Sequence, residues 1–355
     1  THDLGKGTTP AEILPSHRGH EARSVELIDS LCERLRAPRR FLDLARIVAR
    51  YHGQVHKLDE LRPGTLLDLL DRGADLSRVP GLYLPGQGLQ GERVFTKDLD
   101  EFPLPDDHLL GAADAGKEDM MISVQTRRGC PMDCSYCSTA TIEGRRLRKR
   151  SPEAVVEWIA RRRLAGFKKF MFVDNTFNMP APYARELCGV LAKEGLDISW
   201  ACIIYPGVGD RDMVKEMAEA GCSEASLGFE SGSDRMLASM NKRFDKKAVR
   251  EFSKMMADHG ISQMGFQLLG GPGETRESVV ESFEFVDSLP LDLVKLSIGV
   301  RIYPHTALAK TAVGEGVIAP DDDLLQPRFY IQRGLEEWLR ETARTWMEDR
   351  PHWFM

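Results

Sequence analysis

The chain has 355 residues, 42% of them hydrophobic and 29% charged, and a formal net charge of −6 at pH 7. This composition is typical of a folded globular protein and excludes a disordered chain. The acidic balance argues against a dedicated nucleic-acid-binding protein, despite short basic runs at 144–150 and 160–166. No run of about eighteen uncharged apolar residues predicts a membrane span. The amino terminus has no secretory signal pattern, so we expect a cytoplasmic protein.

The first third of the chain predicts a small, mainly helical region. Residues 21–50 have a helical pattern, and residues 61–88 predict a short helix followed by a hairpin. The prolines within residues 100–110 predict an extended linker. We therefore expect an amino-terminal region over 1–117.

Between residues 118 and 310, short apolar runs alternate with helical patterns. Six runs predict strands, at 121–126, 168–174, 198–204, 222–230, 261–270 and 294–303. Five helices are predicted between them, at 151–166, 181–195, 210–221, 245–260 and 275–289. This alternation implies parallel strands and right-handed crossovers, hence an α/β sheet or barrel with its chemistry at the carboxyl ends of the strands. Residues 311–355 are acidic and aromatic, and they predict a helical cap over the open end of the barrel. The alternative is a packing helix, and the two roles are compatible.

Three of the seven cysteines, Cys130, Cys134 and Cys137, lie within a span of eight residues shortly after the first of these strands. Thiolates at this spacing suit zinc or an iron–sulfur cluster. A structural zinc site needs a fourth ligand. The other cysteines of this region occur singly, in patterns typical of buried apolar residues: Cys188, Cys202 and Cys222. If the three cysteines hold a four-iron cluster, one iron is left open to bind a substrate or cofactor. The alternative is that the cysteines belong to a non-catalytic zinc or iron–sulfur binding module.

The string CPMDCSYC, from Cys130 to Cys137, resembles the CxxxCxΦC loop of radical S-adenosylmethionine (SAM) enzymes, with Tyr136 as the aromatic Φ. The resemblance covers about residues 118–310. It implies a partial (β/α)6 TIM-like barrel in which the three cysteines hold a [4Fe-4S] cluster. In that family the open iron binds SAM, and an electron from a donor such as flavodoxin or ferredoxin splits it. The resulting 5′-deoxyadenosyl radical would abstract hydrogen from a small or lipid-like organic substrate.

The same resemblance implies contacts to the cofactor. Asp174 and Asn175 replace a Gly-Gly-Glu-like turn of the relatives and would hold the amino group of SAM. Glu230, in the string GFESGS, would accept hydrogen bonds from the ribose hydroxyls, and Tyr136 would lie beside the adenine. Three further positions are assigned to the cofactor on this basis: Gln267, Gly270 and Arg301.

A histidine stands where relatives commonly have glycine after the sixth strand. The string is IYPHT, in which His305 takes the glycine's place and Tyr303 precedes it. Both residues are candidates for a catalytic proton or hydrogen-atom relay. The alternative is that they only shape the loop at the barrel's exit.

The strings DLSRVPGLYLPG, GFESGS and LGGPGET together resemble the branch of the family whose members usually carry an amino-terminal cobalamin-binding domain. Many members of that branch methylate carbon or phosphorus, so a cobalamin-dependent methyltransferase is the alternative function. Residues 1–117 are too few for a complete cobalamin domain, and we predict a shortened or degenerate one, with cobalamin doubtful. Asp106, His108 and Gly111 match a DxHxxG cobalamin pattern but lie in the linker, so we interpret the match as accidental.

Overall fold

The computed structural model describes residues 116–355 without a gap. Ahead of them it describes residues 4–13 and 19–35, with shorter stretches between 39 and 50 and between 83 and 105. The chain divides into two compact units, Thr1–Val94 and Phe95–Met355. The residues of the DxHxxG pattern lie outside the described part.

The boundary between the units comes earlier than the predicted one after residue 117, because the predicted linker begins as part of the second unit. The side chain of Arg150 donates a hydrogen bond to the carbonyl of Leu99 at 2.7 Å. The indole of Trp158 donates to the carbonyl of Pro105 at 2.8 Å. These side-chain donors hold the extended segment that follows Phe95.

The first unit contains a helix that is fixed to the turn ahead of it. Its described elements are two 3-10 turns, Leu4–Lys6 and Ala11–Ile13, helix α1, His20–Arg34, and strands β1, Tyr83–Leu84, and β2, Gly88–Leu89. The hydroxyl of Ser24 accepts a hydrogen bond from the amide of Gly5 at 2.7 Å. A Cβ atom at Gly5 would lie 2.1 Å from the carbonyl oxygen of His20, so only glycine fits. Strands β1 and β2 pair antiparallel and confirm the predicted hairpin.

The second unit is an α/β structure. Its strands are β3, Met121–Val124; β4, Arg127–Arg128; β5, Arg148–Lys149; β6, Lys169–Phe172; β7, Ser199–Ile204; β8, Cys222–Glu230; β9, Ser262–Leu269; β10, Leu293–Ile298; β11, Val300–Arg301; β12, Phe329–Tyr330; and β13, Trp353–Phe354. Its helices are α2, Thr139–Glu143; α3, Pro152–Leu164; α4, Ala181–Glu194; α5, Arg211–Glu219; α6, Asp234–Ser239; α7, Lys246–Asp258; α8, Arg276–Asp287; α9, Ala307–Gly314; and α10, Glu336–Glu348. Among the described residues, no helix is long and apolar enough to span a membrane.

Seven strands form the central sheet in the order β13-β10-β9-β8-β7-β6-β3, and all neighbours are parallel. From β3 to β10 the order in space follows the order in the chain. Right-handed crossovers in such a sheet place the connecting helices on one face, as in a barrel, rather than on both faces. This arrangement confirms the predicted α/β fold of the partial-barrel type.

The helix-facing side of the sheet forms the core of the second unit. Phe172 and Trp200 are fully buried there and meet edge to face, with ring centroids 5.0 Å apart. The single cysteines, Cys188, Cys202 and Cys222, are buried in this core as predicted. Burial raises the pKa of the Cys188 and Cys202 thiols, so they behave as small apolar side chains.

The carboxyl-terminal tail adds to the sheet and to the helical layer. Leu339 and Ala343 of α10 are buried in the core, and Trp353 places β13 beside β10. The tail reaches the carboxyl ends of the strands through the segment around β12, where the amide of Gln332 donates to the carbonyl of Gly270 at 2.9 Å. Helix α10 therefore packs on the core, and the capping role of residues 311–355 stays a prediction.

Candidate cofactor site

The three clustered cysteines lie on the loop between β4 and α2, at the carboxyl end of β3. Strands β4 and β5 pair antiparallel, and the amide of Cys130 donates to the carbonyl of Gly144 at 3.0 Å, so the loop has a closed neck. Gly129 has a φ of 96°, and a Cβ atom there would lie 2.2 Å from the carbonyl oxygen of Arg146. Only glycine allows this close approach of the two sides of the neck.

The three thiols are close enough to influence one another's ionisation. Burial raises the pKa of the Cys130 and Cys134 thiols; negative charge on neighbouring cysteines raises it further, and Lys242 lowers it. The amide of Cys137 donates to the carbonyl of Cys134 at 3.1 Å, and its thiol donates to the Thr139 hydroxyl at 3.2 Å. Three neighbouring thiolates repel one another and need a cationic centre to stabilise them. A metal centre supplies that charge, because it binds cysteine in its deprotonated form. Among the described residues, no group of three Cys, His, Asp or Glu side chains is already arranged to hold a metal ion. The fit therefore rests on the chemistry of the three thiols, which suits an iron–sulfur cluster with three protein ligands.

Two side chains of the loop pack in separate parts of the second unit, the buried Met132 and the partly buried Tyr136. Met132 packs with Met179 and Tyr205 in a small apolar cluster beside the cysteines. Tyr136 packs against a different cluster that includes Ile302. The loop is thus anchored on two sides by the protein alone.

An acid, a base and an aromatic ring meet behind the cysteines. Glu230 ends β8 with a φ of 70°, and its carboxylate lies 3.5 Å from the ammonium of Lys242. Lys242 also donates to the carbonyl of Gly228 at 3.0 Å and lies 5.5 Å from the Tyr136 ring centroid. Burial raises the pKa of Tyr136 well above its ordinary value. Sequence reasoning missed Lys242; its only signal is its place in the string RMLASMNK that follows GFESGS.

Asp174 is engaged by the protein itself. Its two carboxylate oxygens accept hydrogen bonds from Thr126, from the backbone amide at 2.8 Å and from the hydroxyl at 2.6 Å. They also accept hydrogen bonds from the backbone amide and the guanidinium of Arg127, both at 2.8 Å. A carboxylate has about four acceptor sites, and these four donors fill them. Asp174 thereby joins the end of β6 to the start of the cysteine loop. Its predicted contact to the amino group of SAM stays a prediction.

Asn175 lies at the neck of the cysteine loop. Its amide nitrogen donates to the carboxylate of Glu143 at 2.8 Å and lies 3.4 Å from the carbonyl oxygen of Gly129. The same Glu143 oxygen accepts from the Gly129 amide at 2.9 Å. Of the two residues predicted to hold the amino group of SAM, Asn175 is the one beside the cysteines, and Glu143 is a carboxylate that the sequence did not single out.

Gln267 and Gly270 stand at the end of β9 in different environments. Strand alternation places Gln267 on the helix-facing side with Leu269, where both polar atoms of its amide are buried without a partner among the described residues. The amide of Gly270 donates to the Glu274 carboxylate. Burial raises the pKa of Glu274 to about 7. The cofactor contacts of Gln267 and Gly270 stay predictions.

Arg301, Tyr303 and His305 gather at the turn between β11 and α9. The guanidinium of Arg301 lies 4.9 Å from the Tyr303 ring centroid. His305 is exposed and has a φ of 63°, which is the conformation that the glycine of the relatives adopts readily. The turn touches the cysteine loop, because the amide of Leu308 donates to the carbonyl of Ser135 at 2.9 Å. The relay and the cofactor contact of Arg301 stay predictions.

Residues 124–286 match the family model of the Radical SAM superfamily. This part of the chain is a radical SAM domain. The matched range begins at the last residue of β3 and ends within α8, so it contains all three clustered cysteines and Glu230. The resemblance seen in the sequence is thereby confirmed.

Relatives of known name extend the comparison beyond this domain. The chain is 31% identical over 265 residues to an uncharacterized methyltransferase of Pyrococcus horikoshii, a match that covers 73% of this chain and 57% of the relative. The fold resembles that of the radical SAM methyltransferase TsrM from Kitasatospora setae, solved with cobalamin and a [4Fe-4S] cluster, with a TM-score of 0.60 and 19% identity over 66% of this chain and 54% of that one. The chain spans little more than half of either protein.

A second kind of relative matches a shorter piece of the chain. The multifunctional CCA protein of Thioalkalivibrio sulfidiphilus is 58% identical over 85 residues, which are 24% of this chain and 20% of that protein. Fewer than 85 residues follow residue 286, so a match outside the radical SAM domain must lie before residue 124. That part of the chain contains the first unit.

Proposed function

We propose that this chain is a radical SAM enzyme in which Cys130, Cys134 and Cys137 hold a [4Fe-4S] cluster. The observation that carries the proposal is the anchored loop that carries three cysteines within eight residues at the carboxyl end of β3, inside a radical SAM domain. When bound, the cluster supplies the single electron that splits the sulfonium of SAM. The chain therefore also needs a reducing partner, such as flavodoxin or ferredoxin.

The residues behind the cysteines provide complementary charges for SAM. Glu230 offers carboxylate oxygens to the ribose hydroxyls, which are hydrogen-bond donors. Lys242 is 4% exposed, and its positive charge would face the carboxylate of SAM. Asn175 and Glu143, at the neck, offer oxygen acceptors to the amino group. The partly buried ring of Tyr136 would help to exclude water from this place.

The primary test is anaerobic reconstitution of the full chain with iron and sulfide. We expect an absorption band near 400 nm, as is roughly typical of thiolate-ligated iron, and formation of 5′-deoxyadenosine with dithionite and SAM. Cys134→Ser is expected to lose both signals, whereas Cys32→Ser, in the first unit, is expected to keep them. A wild-type chain that binds only zinc and makes no 5′-deoxyadenosine would contradict the proposal.

Methyl transfer is the second candidate, and the relatives favour it over hydrogen abstraction alone. One relative has a methyltransferase name, and one fold neighbour is a methyltransferase solved with cobalamin. The two reactions are separated by their products. S-adenosylhomocysteine formed when cobalamin is added would support methyl transfer, and 5′-deoxyadenosine alone, with and without cobalamin, would support hydrogen abstraction.

We infer separately that the first unit is related to a segment of the multifunctional CCA proteins rather than to a cobalamin-binding domain. The support is the match of 58% identity over 85 residues. If this match lies outside the radical SAM domain, only the part of the chain before residue 124 is long enough to contain it. The full chain, produced in cobalamin-supplemented cells, is then expected to purify without cobalamin. One equivalent of cobalamin retained through gel filtration would contradict this inference and would restore the cobalamin-type interpretation.

A further inference from the structure

The four residues that follow α6 contact the middle of the cysteine loop, and we call them the clasp (240–243). Three hydrogen bonds join them to the loop: Ser135 amide to Met240 carbonyl at 3.1 Å, Asn241 amide nitrogen to Asp133 carbonyl at 3.0 Å, and Arg243 guanidinium to Asp133 carboxylate at 3.1 Å. The loop and the clasp are more than a hundred residues apart in the chain. These contacts therefore depend on the completed fold rather than on local sequence.

Asn241 has a second task besides ending its helix. The amide of Asn241 donates to the carbonyl of Ala238 at 3.0 Å, and that of Lys242 to the carbonyl of Leu237 at 2.9 Å. This is the Schellman ending, which places one residue in the left-handed region and usually has glycine there. Asn241 occupies that position with a φ of 60°. Glycine would end the helix as well, but only asparagine has an amide that reaches the cysteine loop.

The far side of the clasp is fixed to the same apolar cluster that anchors the loop. The backbone amide of Arg243 donates to the hydroxyl of Tyr205 at 2.9 Å. The ring of Tyr205 meets that of Phe244 edge to face at 4.8 Å, and it also packs against Met132 of the loop. The clasp and the loop are thus held by one shared cluster, so the clasp is a firm support.

We propose that the clasp is a positioning element that keeps the cysteine loop in its cluster-binding conformation before a cluster binds. The inference rests on the proposed function, since it takes the three cysteines as the cluster ligands. An ordered loop loses less conformational entropy when it binds the cluster, so a supported loop assembles the cluster faster and releases it more slowly. Asn241 and Arg243 are positioning residues that act through Asp133, because their side chains bond to Asp133 and not to a cysteine.

The test is amide hydrogen exchange of the cysteine loop in the cluster-free full chain. We compare the wild type with Asn241→Gly, Arg243→Met and the double variant. Exchange at Ser135 and Cys137 is expected to be about fivefold to tenfold faster in the double variant, because one neutral and one partly exposed ionic hydrogen bond are lost. The melting temperature of Asn241→Gly is expected to be unchanged or higher, because glycine favours the left-handed conformation.

Arg211→Met is the matched control for the arginine. Arg211 is 59% exposed and Arg243 is 56% exposed, and each binds one aspartate, but Arg211 pairs with Asp258 on α7. Its loss is expected to leave exchange in the cysteine loop unchanged. Asp133→Asn removes the ionic bond from the loop's side and is expected to act in the same direction as Arg243→Met, which keeps the test valid if a clasp variant does not fold.

Cluster retention gives the second readout. After reconstitution, the double variant is expected to lose its iron–sulfur absorption to an iron chelator several times faster than the wild type and the Arg211→Met control. Loop exchange in the double variant and in Asp133→Asn equal to that of the wild type would overturn the inference. A wild-type chain that never takes up a cluster would instead defeat the proposed function, and the exchange result on the cluster-free chain would still stand.

Discussion

Replacing Asp174 by asparagine tests whether this carboxylate serves the fold or the cofactor. Asp174 and Arg127 are 1% and 2% exposed, and their ion pair measures 2.8 Å. The guanidinium of Arg127 also donates to the carbonyls of Phe177 at 2.6 Å and Met179 at 2.9 Å. The asparagine side chain would keep the shape of aspartate, but its NH2 group would face two hydrogen-bond donors of Thr126 and Arg127. The buried charge of the Arg127 guanidinium would also lose its carboxylate partner. Breaking one side of a buried pair costs about 3–5 kcal/mol.

For a unit of this size, each kcal/mol lowers the melting temperature by about 2–4 °C, so Asp174→Asn is expected to lower it by about 6–20 °C. The assay is thermal unfolding of the cluster-free chain, followed by circular dichroism. Asp197→Asn is the control, because Asp197 is 87% exposed in its pair with Arg163 and is expected to change stability by less than about 1 kcal/mol. Equal melting temperatures for Asp174→Asn and the wild type, together with weakened SAM binding, would refute the structural role.

Three further predictions concern single positions. The folded chain binds a proton at Glu274 more tightly than the unfolded chain, so the free energy of unfolding is expected to fall as pH rises from about 4.5 to about 7. Denaturant titrations at several pH values measure this slope, and Glu274→Gln is expected to remove it. His305→Gly is expected to raise stability by about 1 kcal/mol in thermal unfolding, because it relieves a left-handed conformation at an exposed position; a fall would show that the histidine makes a needed contact. Gly129→Ala is expected to lower iron content after reconstitution, since its Cβ would clash with the neck, whereas Gly195→Ala, with open space around its Cβ, is expected to keep it.

The alternation of strands and helices was readable from the sequence because the connecting helices are periodic and the strands are apolar, although β3 and β6 have only four residues each. Strand β8 spans Cys222–Glu230, the range that the sequence predicts. Strand β13 has two residues, too few to show a period, so the tail could not be recognised as part of the sheet. Its pairing with β10 appears only when the chain is folded.

The site shows the same division between local and distant information. The spacing of the cysteines is local, and it identified the loop without any structure. The saturation of Asp174 by Thr126 and Arg127 depends on partners almost fifty residues away, and the role of Lys242 depends on Glu230 and Tyr136 meeting in space. No periodicity or local motif reports such contacts, so the sequence alone could not show that Asp174 already accepts four hydrogen bonds from the protein.

Cys130, Cys134 and Cys137 are proposed to hold a four-iron cluster with one iron open to SAM. The most direct test is the electron paramagnetic resonance spectrum of the reduced, reconstituted chain, recorded with and without SAM. We expect a signal of a single reduced [4Fe-4S] cluster whose shape changes when SAM is added, because SAM would bind the open iron. A spectrum that SAM leaves unchanged, or a chain with no reducible cluster, would contradict the account.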